Sequence, residues 1–268
     1  MSSIASQDVY VPTQQGRLFA RRWDPAGRGA GAGAGAAPIV LLHDSLGCVD
    51  LWRDFPGHLA AATGRAVIAY DRLGFGRSDP NPATLVTGFV EAEATDGFQA
   101  LRRTLDIGPF IAFGHSVGGG MGICCAAAHP EDCRALITES AQTFAEDRTL
   151  DGIRAAQRNF AEPGQLDRLK KYHGDKAAWV LSAWVDTWLS PAFADWNLND
   201  TLRQIACPVL ALHGEVDEYG SAAHPEIIAS LTGGRQALLE NCGHVPHREQ
   251  EHIVLDLASQ WLRGAVPA

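Results

Sequence analysis

The chain has 268 residues, of which 46% are hydrophobic and 20% are charged, as in ordinary globular proteins. This composition excludes a disordered or fibrous chain, and the length allows one large domain or two smaller ones. Lys and Arg total 22 and Asp and Glu total 31, so the formal net charge is −9. Because such a surface repels phosphate backbones and anionic lipid headgroups, we expect neither a nucleic-acid nor a membrane partner.

The N-terminal stretch MSSIASQDVYVP has neither the basic residues nor the apolar segment of a secretion signal, which favours a cytoplasmic location. The six cysteines are sparse and lack zinc-binding spacing, so we expect free thiols and no metal. Ile107–Pro130 contains no Asp, Glu, Lys or Arg. Its glycines and its change from a strand-like to a helix-like pattern predict a buried strand followed by a buried helix, not a membrane span.

Short apolar runs alternate with longer segments of helical spacing, which predicts a mostly parallel sheet with helices on both faces. A TQQG turn joins the first two runs and predicts an antiparallel hairpin at the sheet edge, followed by a mobile Gly/Ala-rich loop, GRGAGAGAGAAP. Val254, Leu257, Ala258 and Trp261 recur at helical spacing and predict a last helix that docks on the sheet. The eight predicted strands are Asp8–Pro12, Arg17–Trp23, Ile39–His43, Ala66–Tyr70, Phe110–Gly114, Ala135–Thr138, Val209–His213 and Gln236–Glu240.

The alternation stops between about residues 140 and 205, where only helical patterns occur. They cover Asp151–Phe160, Gln165–His173 and Asp175–Leu189. The sequence therefore predicts a core of residues 1–140 and 206–268 with a helical cap of residues 141–205. Four tryptophans of the cap either fasten it to the core or line a substrate pocket, and both interpretations stay open: Trp179, Trp184, Trp188 and Trp196.

A G-x-S-x-G sequence, Gly114-His115-Ser116-Val117-Gly118, lies between an apolar strand and a helix-like segment. A tight turn from strand to helix exposes a serine above the sheet and leaves no space for side chains at Gly114 and Gly118. The following helix points its N–H groups at that serine. The sequence therefore predicts Ser116 as a nucleophile.

A serine hydroxyl needs a base to become nucleophilic, and the base needs an acceptor that fixes its tautomer. Asp217 follows the seventh predicted strand and His244 follows the eighth, so both lie at the sheet edge that carries ligands in such folds. The order Ser116, Asp217, His244 is the order of this class of triad. Glu215 and Glu218 are the alternatives for the acid, and His247 and His115 are the alternatives for the base.

Two further motifs are Leu42-His43-Asp44-Ser45-Leu46-Gly47 and Asp71-Arg72-Leu73-Gly74-Phe75-Gly76-Arg77-Ser78. Together with the triad and the G-x-S-x-G turn, they make the chain resemble the α/β-hydrolase superfamily, in its cap-bearing serine hydrolase or esterase type. The resemblance spans nearly the whole chain and implies an eight-stranded α/β-hydrolase fold. It also implies that the Ser45 and Val117 N–H groups form the oxyanion hole and that His43 supports the loop. Asp44 departs from the glycine that is usual in the family, so we expect its carboxylate to point away or to be paired.

Ser116 separates the chain from relatives of this fold that use an aspartate or cysteine nucleophile, such as dehalogenases, epoxide hydrolases and dienelactone hydrolases. We predict a serine hydrolase that cleaves a small carboxylic ester, with an aryl or medium-chain acyl group, through an acyl-enzyme and without a metal or organic cofactor. An amide, lactone or thioester hydrolase, a cofactor-free perhydrolase and a receptor-like binding protein remain alternatives. The oligomeric state stays open.

Overall fold

The computed structural model describes residues 5–25 and 36–266. Eight strands form one sheet in the order β1-β2-β4-β3-β5-β6-β7-β8. The pairs β1·β2 and β2·β4 are antiparallel and all other neighbours are parallel. The strands are β1 (Ser6–Pro12), β2 (Arg17–Trp23), β3 (Ile39–Leu42), β4 (Val67–Tyr70), β5 (Phe110–His115), β6 (Cys133–Glu139), β7 (Val209–Gly214) and β8 (Arg235–Leu239).

All eight predicted strands are confirmed, and each observed boundary lies within two residues of the predicted one. The β1·β2 hairpin forms the antiparallel edge of the sheet, with Val11 opposite Leu18. The predicted Gly/Ala loop falls largely on residues 26–35 and so lies outside the described residues.

Helices cover both faces of the sheet. In the described ranges they are α1 (Phe55–Thr63), α2 (Phe89–Ala92), α3 (Gly97–Thr104), α4 (Val117–Ala128), α5 (Asp147–Phe160), α6 (Gln165–His173), α7 (Ala177–Trp188), α8 (Asn199–Leu202), α9 (Ala223–Thr232), α10 (Pro246–Glu249) and α11 (Glu251–Ala265). Short 3₁₀ turns lie at Val49–Trp52, Gly174–Lys176 and Pro191–Phe193.

Two hydrophobic clusters lie on the two faces of the sheet. Successive strand residues point to opposite faces, so Val40 joins one cluster and its neighbour Leu41 the other. Helix α4 packs in the first cluster through Met121, whereas α11 packs in the second through Val254 and Leu262. The last helix therefore docks on the sheet as its apolar spacing predicted.

The uncharged segment Ile107–Pro130 forms strand β5 and helix α4, which confirms the prediction of a buried strand followed by a buried helix. All six residues of β5 are buried, as are the first ten of α4. Across residues 5–25 and 36–266, the helices are all too short or too polar to cross a membrane. All six cysteines are free thiols.

The chain leaves the sheet after β6 and returns at β7, and α5 to α8 lie between the two strands. Phe144 and Asn197 pair as an isolated β-bridge and hold the two ends of this excursion together. Its buried residues Ile153, Val185 and Trp188 belong to the first cluster. The excursion therefore packs on the same face of the sheet as α4, which begins next to Ser116.

Candidate active site

Ser116 lies on the sharp turn between β5 and α4, with φ of 57° and ψ of −127°. A positive φ is unfavourable for a residue with a side chain, and such strain is typical of functional positions. A Cβ atom at Gly114 would collide with the backbone of Gly118, and one at Gly118 would collide with the backbone of Leu42. The glycines of the motif are thus required by the close approach of three backbone segments.

His244 and Asp217 meet Ser116 in a linear array. His244 Nε2 lies 3.0 Å from Ser116 Oγ. His244 Nδ1 lies 2.9 Å and 2.8 Å from the two carboxylate oxygens of Asp217. The backbone N–H groups of Tyr219 and Gly220 donate to Asp217 Oδ1 at 2.7 Å and 3.1 Å, which fixes the carboxylate.

The electrostatics of the pair fix the tautomer of His244. Burial raises the pKa of Asp217, but the hydrogen bond and the charge of His244 outweigh it and hold that pKa below its usual value. Burial lowers the pKa of His244, but Asp217 outweighs this and the net pKa is raised above 6.5. Because an ionised carboxylate only accepts, Nδ1 carries the hydrogen and Nε2 of neutral His244 is free to accept a proton from Ser116.

The rival side chains lie elsewhere. Glu215 is exposed, and its Oε2 accepts from the Asn241 N–H at 3.2 Å. His247 Nδ1 donates to Glu139 Oε2 at 2.6 Å. His115 Nε2 donates to the His244 carbonyl at 2.8 Å, which supports the loop that carries His244. Glu218 is exposed at the rim of the pocket described below.

The two backbone N–H groups expected to form an oxyanion hole are free to bind a ligand. Within the described residues, neither Ser45 N–H nor Val117 N–H donates to another group. His43 Nδ1 donates to the Asp44 carbonyl at 2.8 Å, and its Nε2 accepts from the Arg72 N–H at 3.2 Å. Arg72 Nη2 also donates to the Asp44 carbonyl at 2.9 Å, so His43 and Arg72 together stabilise the loop that carries Ser45.

Asp44 lies at the wall of the site rather than away from it. Its Oδ2 accepts a long hydrogen bond of 3.4 Å from Leu46 N–H, and its Oδ1 is 3.9 Å from His115 Nδ1. Burial raises the pKa of Asp44, but His115, His43 and the Arg248 guanidinium outweigh it and lower that pKa. The carboxylate is therefore ionised and adds negative charge to the site.

A pocket of about 180 Å³ opens at Ser116. Polar residues and apolar or aromatic residues are about equal in number in its lining: Asp44, Ser45, Leu46, Ser116, Gln142, Thr149, Ile153, Trp184, Trp188, Glu218, Tyr219, His244 and Val245. A larger cavity of about 600 Å³ lies beside the turn between β1 and β2 and shares no lining residue with this pocket. Because Ser116 and His244 line the smaller pocket, that pocket is the candidate active site.

Only two of the four tryptophans proposed for the pocket lie there, namely Trp184 and Trp188. Trp179 packs against Phe75 with ring centroids 5.6 Å apart, and its Nε1 donates to the Ala83 carbonyl. Trp196 stacks on Phe193, with centroids 4.9 Å apart. Trp179 and Trp196 are not among the residues that line this pocket. Their contacts fit the other interpretation, in which these tryptophans fasten the excursion to neighbouring segments.

Gln142 is a functional candidate that sequence reasoning missed. Its side chain is 2% exposed, lines the pocket and lies with Oε1 3.1 Å from Ser116 Oγ. No motif marks it, because it follows β6 in an irregular segment. The only available signal was its position just past the carboxyl end of a central strand, where open α/β sheets hold their ligands.

Three buried side chains behind His244 could also hold a metal ion. His115, Glu139 and His247 each bring one potential ligand atom within 4.8 Å of the others. The hydrogen bonds of His247 to Glu139 and of His115 to the His244 carbonyl already engage these groups. The cluster as placed is polar support for the segment that carries His244.

The fold and the comparisons with known proteins both indicate an α/β hydrolase. A family model for the alpha/beta hydrolase fold matches residues 37–183, more than half of the chain, so the chain belongs to this family and is a hydrolase. The similar proteins include a proline iminopeptidase of Lactobacillus delbrueckii subsp. bulgaricus, 22% identical over 84% of this chain and 90% of that protein. The human serine hydrolase BPHL is 26% identical over 68% of this chain and 64% of that protein.

Solved structures share the fold over nearly their whole length. A proline iminopeptidase of Mycobacterium smegmatis superposes with a TM-score of 0.74 and 19% identity, covering 97% of this chain and 98% of that one. A thermophilic esterase of Thermogutta terrifontis gives a TM-score of 0.71 and 22% identity, covering 97% and 99%. These TM-scores establish the shared fold, whereas the low sequence identities leave the substrate of this chain open.

Proposed function

We propose that this hydrolase cleaves a small carboxylic ester through an acyl-enzyme on Ser116. The observation that carries the proposal is the continuous array from Asp217 through His244 to Ser116 Oγ, at 2.8 Å and 3.0 Å. His244 takes the hydroxyl proton while Oγ bonds to the ester carbonyl carbon, and the carbonyl electron pair moves to oxygen. The N–H groups of Ser45 and Val117 stabilise that oxyanion, and loss of one such donor typically costs about 3 kcal/mol.

Protonated His244 then gives its proton to the alkoxide as the bond from the alkoxide to the carbonyl carbon breaks, which completes the acyl-enzyme. In the second half-reaction water attacks the acyl carbon and gives a proton to His244. His244 returns that proton to Ser116 Oγ as the bond between Oγ and the acyl carbon breaks, which releases the carboxylic acid. The rings of Trp184, Trp188 and Tyr219 give the pocket an apolar wall suited to an aryl or medium-chain acyl group. No step requires a metal or organic cofactor.

The experiment combines turnover with covalent labelling. We expect the protein to hydrolyse members of a p-nitrophenyl ester series and to form a fluorophosphonate adduct on Ser116. Replacement of Ser116 by Ala should lower kcat by several orders of magnitude with the melting temperature retained, whereas Ser230→Ala on the exposed side of α9 should change neither. An adduct on another serine would show that the nucleophile is misassigned, and ligand binding without turnover would favour a receptor-like protein.

A second candidate is cleavage of an amide next to a free amino group. Asp44 and Glu218 both line the pocket and no Lys or Arg does, so the described lining favours a cationic substrate. Relatives named proline iminopeptidase, which match 84% of this chain, also support cleavage of an amide next to a free amino group. Turnover of proline p-nitroanilide in preference to proline-free esters would favour this candidate, and loss of that preference in Glu218→Gln would locate the amine.

A further inference from the structure

The hydroxyl of Ser116 has two partners but one hydrogen. Its Oγ lies 3.0 Å from His244 Nε2 and 3.1 Å from Gln142 Oε1. If the hydrogen goes to Gln142, then Nε2 of His244 must itself be protonated and donate to Oγ, and no base is available. If the hydrogen goes to His244, the group of Gln142 that faces Oγ must donate, because two oxygen lone pairs would otherwise face each other.

The second arrangement is the reactive one. General-base catalysis requires neutral His244 to accept the Ser116 hydrogen. A half-turn about the last side-chain bond of Gln142 exchanges Oε1 and Nε2 with little change of shape. That turn places an amide N–H against the lone pair of Oγ.

We infer that Gln142 is a catalytic residue that donates from Nε2 to Ser116 Oγ when His244 is neutral, and accepts through Oε1 when His244 is protonated. This inference rests on the proposed role of Ser116 as nucleophile. In the reactive state the hydrogen of Oγ points to His244 and one lone pair is engaged by Gln142. The remaining lone pair of Oγ is then available for the carbonyl carbon of the substrate.

The backbone before Gln142 shows independent signs of functional placement. Ser140, two residues earlier, has φ of 48°, a left-handed conformation that is unfavourable for a residue other than glycine. This turn ends β6 and redirects the chain over Ser116. The next residue is fixed as well, since Thr143 N–H donates to His224 Nδ1 at 3.2 Å and its carbonyl accepts from Leu198 N–H at 2.8 Å.

The test replaces Gln142 by Met, which keeps the length of the side chain and removes both polar atoms. The probes are the rate of fluorophosphonate labelling of Ser116 and the kcat and KM for p-nitrophenyl acetate. We expect the labelling rate and kcat to fall roughly threefold to tenfold, as for loss of one neutral hydrogen bond that orients Oγ, with KM unchanged. Gln157→Met, the same change on the exposed side of α5, is the matched control and should label at the wild-type rate.

Gln142→Glu keeps the shape and tests the donor directly. Its ionised carboxylate cannot donate to Oγ, and its charge beside His244 stabilises the imidazolium. We therefore expect a lower maximal rate and an acid limb of kcat/KM that moves to higher pH, whereas in Gln142→Met the limb stays in place. This variant also carries the test if Gln142→Met fails to fold.

The outcomes separate this inference from the proposed function. Wild-type protein that labels at Ser116 together with a Gln142→Met variant that labels equally fast would overturn the role of Gln142 alone. Wild-type protein that does not label at Ser116 would overturn the nucleophile itself.

Discussion

In the proposed mechanism, the Asp217–His244 pair sets the pH at which Ser116 can react. That mechanism requires neutral His244, and Asp217 raises the pKa of His244 above 6.5 despite burial. The value of kcat/KM should therefore fall as the pH decreases through this raised pKa, with the acid limb above the usual range of a free imidazole.

Replacement of Asp217 by Asn should remove both the charge and the tautomer control. We expect kcat to fall by about 10⁴-fold, as when the acid of a Ser-His-Asp triad is amidated. The residual activity should show its acid limb at lower pH, because the group that raises the pKa of His244 is gone. Glu215→Gln, an exposed amidation two residues away, is the control. A nearly normal rate in Asp217→Asn, measured by pH-dependent kinetics, would require another acid.

At the residue scale, motifs predicted backbone-determined positions better than side-chain contacts. The position of Ser116 was predictable from the sequence because a strand, two glycines and a helix in that order specify a tight turn with the serine at its tip. The sequence indicated that Asp44 is unusual and left two placements open, turned away or paired. The carboxylate lies at the pocket wall, with Oδ1 3.9 Å from His115 Nδ1. Gln142 contacts Ser116 after a turn at Ser140, whose backbone has a positive φ. No pattern in the sequence predicts this left-handed backbone conformation at a serine.

At the scale of elements, the eight strands were predictable because buried parallel strands are continuous apolar runs. The helices of the excursion were also predictable, and α6 has the predicted bounds, Gln165–His173. Which faces of these helices meet the site was not predictable, because the crossing of a helix over the sheet depends on tertiary packing. This explains why the sequence left open which of the four tryptophans line the pocket and which fasten the excursion.

The tryptophans of the excursion should therefore divide into two pairs. Trp184→Ala and Trp188→Ala remove pocket walls, so we expect each to shift kcat/KM between short-chain and long-chain esters. Trp179→Ala and Trp196→Ala remove rings that do not themselves line the pocket, so they should lower the melting temperature and leave the chain-length preference unchanged. The measurement is kcat/KM over a p-nitrophenyl ester series with calorimetry of each variant. A shift of preference in the second pair would show that the pocket extends further.

Glu146 fastens the start of α5 to the segment before α9. The Ser221 N–H and Oγ donate to its carboxylate at 2.6 Å and 2.9 Å, and His224 Nε2 lies 3.0 Å from it. Burial raises the pKa of Glu146, but these hydrogen bonds outweigh it and lower the pKa from 4.5 to about 2. A depressed folded-state pKa stabilises the protein above the unfolded-state value, and this stabilisation is lost as the pH falls toward the folded-state value.

The free energy of unfolding should thus decrease between pH 4.5 and about 2, partly through Glu146. Glu146→Gln should be less stable than wild type at neutral pH, and the difference should shrink as the pH falls through this range. Urea unfolding at several pH values measures it, with the exposed Glu162→Gln as control. A stability difference that stays constant with pH would mean that the carboxylate contributes no ionic interaction.

At the scale of the whole molecule, the helical excursion shares its core with the sheet. Its buried residues Ile153, Val185, Trp188, Phe193, Leu198 and Leu202 belong to the same cluster as β3, β5 and α4. The sheet is in turn shared with the second cluster on its other face, where Trp52 and α11 pack. Removal of the excursion would therefore expose part of this cluster, so the free energies of the two parts are coupled.

We expect one cooperative unfolding transition for the whole chain, with no separate melting of the excursion. In protein labelled with fluorotryptophan, the ¹⁹F resonances of Trp52, on one face, and of Trp188, on the other, should then report the same denaturation midpoint. The Trp52→Phe and Trp188→Phe variants each remove one resonance and so assign these two signals among the seven tryptophans. Calorimetric and van't Hoff enthalpies are compared in the wild type. An earlier transition at Trp188 would show instead that residues 141–205 unfold as a separate cooperative unit while the sheet persists.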